Sequence, residues 1–100
     1  MFGKLLTVMA LLSAGPAAAA LSGFYDSAEK IGAILASAEV ADAVKQAPIG
    51  AISNTGTSAS GDDEWQVRVQ DCDLTVHLIA MPPEGVGMTT YRVELAGPCK

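Results

Sequence analysis

"WQVRVQDCDLTVHLIAMPPEGVGMTTYRVELAGPC", Trp65 to Cys99, carries three consecutive runs in which apolar and polar residues alternate. A period of two is the pattern of a strand with one face buried. It predicts strands over Glu64–Gln70, Leu74–Met81 and Met88–Ala96, with "PPEG" at Pro82–Gly85 as the second turn.

Apolar matching suggests how these strands pair. A first hairpin centred on Asp71 and Cys72 sets Trp65 opposite Leu78, Val67 opposite Val76 and Val69 opposite Leu74. A second, centred between Glu84 and Gly85, sets Leu78 opposite Tyr91, Val76 opposite Val93 and Leu74 opposite Leu95. Every pair is apolar, and a slip of one residue would turn each set outward. Cys72 then falls opposite Gly97, on the same face as Cys99, and a bend at Gly97-Pro98 brings the thiols within bridging range. A Cys72–Cys99 disulfide is therefore expected.

Upstream, Asp26 to Gln46 is rich in Ala and free of Pro, with Phe24, Ala28, Ile31, Leu35 and Ala38 at helical spacing, flanked by Ile34 and Ala41. Asp26 and Glu29 resemble a capping box, and Pro48 stops the helix near Gln46. Val40 and Val44 lie off this stripe, which marks a kink, a break near Ser37 or a second contact surface. Ile49 to about Thr55 reads as a weak first strand before a polar loop ending at Asp63. The predicted fold is α+β: an N-terminal amphipathic helix packed on a three- to four-stranded antiparallel β-meander, with one disulfide.

Residues 1–20 have the layout of a cleaved secretory signal peptide: Lys4, an apolar run over Leu5–Ala14, Gly15-Pro16 and four alanines ending at Ala20. The run is shorter than the ~20 residues a bilayer requires, so no membrane span is expected in the mature chain. Removing 20 of 100 residues leaves 80, read as a single small domain over 21–100, periplasmic or secreted. The 6 Lys and Arg fall to 5 with loss of Lys4, so 5 minus 11 acids gives a net charge of −6. Phosphate backbones would repel such a chain, which argues against nucleic acid. A domain this small gains from a staple, and exported proteins retain disulfides.

The outward sheet positions include Arg68, His77 and Arg92, a basic group beside Ile79 that forms the candidate partner-binding set. The expected pairing places His77 between Gln66 and Arg92, and Thr75 between Arg68 and Glu94; a solvated face of cross-strand pairs explains the same residues. His77 has no motif-placed nucleophile, and Ser53, Ser58 and Ser60 fit loop composition. Cys72, His77 and Cys99 match no zinc spacing, and Asp62–Glu64 with Asp71 and Asp73 lack the order of a calcium loop. Neither catalytic residues nor a metal or cofactor site is predicted. Trp65, Tyr91 and Phe24 are expected in the core, and Met81 and Met88, flanking the second hairpin loop with Val86 between them, read as gap-filling residues or as a mobile apolar tip for a partner, gap filling being the commoner use of Met. Two functions fit: a non-enzymatic exported interaction module such as an inhibitor or accessory subunit with a protein partner, or a small-ligand carrier with a cleft between helix and sheet.

Overall fold

The structure, a computed structural model, describes residues 22–100. The expected signal segment lies outside these residues. Two helices, α1 (Gly23–Leu35) and α2 (Ala38–Ala43), precede four strands, β1 (Ile49–Thr57), β2 (Asp63–Val69), β3 (Asp73–Met81) and β4 (Thr90–Leu95). The strands form one antiparallel sheet in chain order, β1-β2-β3-β4. The helices pack on its inner face, giving the predicted α+β layers with all four strands present.

The core is Trp65, Val67 and Val69 of β2 and Leu74, Val76 and Leu78 of β3, covered by Ile34, Val40 and Val44 of the helical layer. These six strand residues are the alternating apolar set of the sequence, so the inward face is as predicted. Their partners differ. Trp65 stands opposite Val76 and Val67 opposite Leu74, while Val76 stands opposite Leu95 and Leu78 opposite Val93. Each register is two residues from the expected one. The side-chain period is two, so a shift of two leaves every residue on its face and keeps most opposed inward pairs apolar, the exception being Leu78, which faces Asp63 on β2. The turns decide the difference: β2 reverses tightly through Gln70 and Asp71, where the Val69 amide donates to the Cys72 carbonyl at 3.0 Å.

The helical layer departs further. Ser22, not Asp26, caps α1, its Oγ accepting the Tyr25 amide at 3.3 Å. The helical stretch expected over Asp26–Gln46 is broken after Leu35, the break near Ser37 being among the alternatives that Val40 and Val44 raised, and Ser37 caps α2 by accepting the Val40 amide at 3.2 Å. Both serines satisfy amides that a helix start leaves without partners. The break resets the helical phase, which carries Val40 and Val44 into the core. The expected stripe is correspondingly corrected: Ile31 and Ile34 face inward, whereas Phe24 is 74% and Leu35 57% exposed. Lys45 and Gln46, both at φ 57°, end α2 in a Schellman arrangement, with the Gln46 amide bonded to the Ala41 carbonyl and the Lys45 amide to that of Asp42.

Cys72 and Cys99 are joined, with their Cα atoms 5.4 Å apart and 27 positions between them in sequence. The last regular backbone contact of β4 links Ala96 to Thr75, and Lys100 then bonds in both directions with Asp73. Gly97 and Pro98 take up the two extra residues on that side, the break that the sequence places beside Cys99.

Candidate functional site

The outer face holds the sequence-predicted residues on β2, β3 and β4. The register shift of two changes every neighbour among them. His77 lies between Glu64 and Glu94 instead of Gln66 and Arg92, Arg68 faces Asp73, and Arg92 faces Ile79. The expected basic grouping is thus replaced by base-acid pairs. Arg68 grips Asp73 through two guanidinium nitrogens, Nε at 2.8 Å and a terminal nitrogen at 3.2 Å. That hydrogen bond, with the guanidinium charge behind it, holds the Asp73 carboxyl below the usual aspartate value. His77 Nε2 lies 3.2 Å from Glu64 Oε2, while Thr55 donates to the other Glu64 oxygen at 3.0 Å. Arg92 donates to Glu94 on its own strand. Ile79 is half-buried opposite Arg92, toward the end of β3 away from Arg68 and Asp73.

A denser cluster lies at the opposite side of the sheet and escaped sequence reasoning. Asp26 and Lys30 are one helical turn apart on α1, with Nζ 3.3 Å from the Asp26 carboxylate and 2.9 Å from that of Asp63 on β2. Tyr91 on β4 donates its hydroxyl to Asp26 at 2.6 Å, and Lys30 sits 5.4 Å from the centre of the Tyr91 ring. Asp63 also accepts from the Trp65 indole at 2.9 Å and from the Asn54 amide at 3.3 Å. One polar knot thereby ties α1 to β1, β2 and β4.

The electrostatics of the knot follow from these bonds. The Tyr91 hydroxyl, aided by Lys30, lowers the Asp26 pKa against the opposing effect of burial. Burial is the largest influence on Asp63 and pushes it up, but the Trp65, Lys30 and Asn54 contacts together bring it below the ordinary value. Burial likewise opposes the Lys30 charge and is outweighed by the two carboxylates, which raise its pKa. Tyr91 is raised, first by burial and then because its proton is held by Asp26. Each side chain of the knot bonds at least one other, the arrangement of a clasp. A cavity of about 260 Å³ opens beside it, bordered by Lys30, Thr57, Asp63, Leu78 and Tyr91.

Of the three serines weighed as nucleophiles, Ser53 lies on β1 opposite Gln66, and Ser58 and Ser60 serve local structure. Ser58 and Ser60 bond one another at 3.0 Å, Ser60 donates to Asp62 at 3.1 Å, and Ser58 Oγ accepts the Asp62 amide at 3.1 Å. Among the described residues no three His, Cys, Asp or Glu side chains converge as metal ligands, and no buried polar side-chain atom lacks a partner. No helix among them is long and apolar enough to cross a membrane. Comparison with known proteins finds no matching family model, curated protein or solved structure.

Proposed function

We propose that this chain is a small exported interaction module that engages a protein partner through the outer face of its sheet. The observation carrying this reading is that both helices occupy one face, while the other presents two ion pairs, Arg68–Asp73 and Arg92–Glu94, a His77–Glu64 contact between them, and Ile79 opposite Arg92. Intrachain acids hold the two arginines and the histidine in position before any partner arrives, which reduces the ordering that binding requires. Arginine is also enriched where interfaces concentrate their energy. The disulfide is compatible with an oxidising, exported location. The carrier alternative has less support. A space of about 640 Å³ between α2 and the end of β4 is bordered by the carboxylates Glu39, Asp42 and Glu94 rather than by a mainly apolar wall, and the apolar space where the helices meet Ile49 is about 170 Å³, below the roughly 300 Å³ at which ligand pockets begin.

The test inverts the pattern without breaking the pairs: Arg68→Glu with Asp73→Arg, and Arg92→Glu with Glu94→Arg. Net charge and pairing are retained, so thermal unfolding should move by no more than a few degrees. The stoichiometric partner recovered from the exported fraction with the natural chain should be lost with the inverted one. Equal recovery would show that the outer face is ordinary solvated surface.

A further inference from the structure

Of the four methionines in the sequence, Met1 and Met9 fall in the expected leader, outside the described residues, and the other two stand at one hairpin tip. Met81 ends β3 and Met88 closes the loop that follows, 41% and 40% exposed, with Val86 between them at 97%. Methionine commonly fills gaps in a core. Neither residue does so here: the half-buried apolar residues packed against the core include Tyr91 and Val93 of β4 but not Met81 or Met88. Every residue from Met81 to Met88 is exposed, and Glu84 is the one charge among them.

The sheet fixes the first of the two thioethers. Val76 and Leu78 are buried on the inner face, so alternation puts Met81 on the outer face in line with Ile79, and its backbone is paired with Thr90. Its exposure therefore requires no opening of the sheet. Other side chains that compete for an oxidant are withheld: among the described residues no cysteine is free, and Trp65 is buried.

We propose that Met81 and Met88 form a modification site for hydroperoxides, at which both thioethers are oxidised to sulfoxides in the folded chain. The sulfur lone pair attacks one peroxide oxygen and the O–O bond breaks. That oxygen stays on sulfur, and the other leaves with the hydrogen as water, or as an alcohol when the oxidant is an alkyl hydroperoxide. Sulfur loses two electrons and the peroxide gains them. A sulfoxide is polar where the thioether is apolar. The tip thus passes from an apolar surface to a polar one, while the core, which neither side chain joins, is undisturbed. The site requires no partner at the outer face and is independent of one.

Hydrogen peroxide added to the folded chain, with peptide mapping of the products, should place one oxygen on Met81 and one on Met88, each at a rate within about fivefold of free methionine, because exposure governs susceptibility. Thermal unfolding should be unchanged, and the oxidised chain should leave a hydrophobic-interaction column earlier than the untreated one. Met81→Leu with Met88→Leu keeps the apolar tip and removes both sulfurs, so peroxide should leave its retention where it was. A thioether at either position oxidised more slowly than that limit is shielded and overturns the proposal. A lowered unfolding midpoint after oxidation overturns it by showing that these side chains support the core. Unchanged retention of the oxidised natural chain, or an equal loss of retention in the leucine variant, overturns it as well, since the change of surface would not lie at these sulfurs.

Discussion

Tyr91 and Asp26 are 65 positions apart in the chain, and their side chains meet at 2.6 Å, joining the last strand to the first helix. Tyr91→Phe deletes this contact while keeping the ring over Lys30. The bond is only partly buried, so a loss of about 1 kcal/mol is expected, or roughly 4–8 °C in midpoint for a domain of this size. Thermal unfolding read by circular dichroism measures it, and an unchanged midpoint would remove the clasp role.

The same cluster sets a pH dependence. Asp26 and Asp63 ionise at lower pH folded than unfolded, so their contribution is complete above the ordinary value of 3.8 and is lost as pH falls below it. Lys30 and Tyr91 titrate higher folded than unfolded; their contribution is complete below the ordinary values of 10.5 and 10.0 and declines as pH rises past them. Denaturant titrations should give a stability plateau between these limits. Asp26→Asn should flatten the acid limb, and Tyr91→Phe the alkaline one.

Ile34 and Phe24 distinguish the observed helix face from the expected one. Ile34 is fully buried, so Ile34→Ala should cost about 2–5 kcal/mol. Phe24→Ala, at an exposed position, should stay within about 0.5 kcal/mol. Equal losses would place both side chains in the core.

Replacing both Cys72 and Cys99 by Ala opens the loop they close, for which the chain-entropy treatment gives roughly 3–4 kcal/mol. Denaturant midpoints of the oxidised protein and the double variant supply the comparison. A difference under about 1 kcal/mol would mean that the Asp73–Lys100 pairing holds this corner without the bridge.

At Lys45 the left-handed backbone is paid for by a residue with a Cβ. Lys45→Gly should raise stability by up to about 1 kcal/mol despite the greater freedom of glycine unfolded. A lower midpoint would show that the Lys45 side chain contributes more than its backbone strain removes.

Which residues face inward on the strands was legible because alternation is a local property. Which residues oppose each other was not, because two positions along most inward pairs remain apolar, Leu78 alone exchanging Trp65 for Asp63, and the turn through Gln70 and Asp71 decides between the registers. That is why Arg68, His77, Ile79 and Arg92 were placed on the correct face with the wrong neighbours. The helix stripe misled for another reason. Ala28 and Ala38 count as apolar yet are exposed, whereas Lys30 counts as polar although its side chain is only 19% exposed, held between two carboxylates. The knot around it joins residues from Asp26 to Tyr91, and no spacing rule spans that distance.

The meander has a consequence for the order in which the molecule can assemble. Each strand neighbours the one before it in sequence, so each hairpin can close as soon as its second strand exists. The helical layer cannot keep pace. Ile31 and Ile34 are made before any of the strands that will cover them, and Asp26 waits until Tyr91 has been added. A growing chain therefore carries the apolar side of that helix uncovered until the sheet has formed. Cut short before Tyr91, the chain would lose the Asp26 bond and the strand that carries it, leaving α1 held by Lys30–Asp63 and the packing of Ile31 and Ile34 alone.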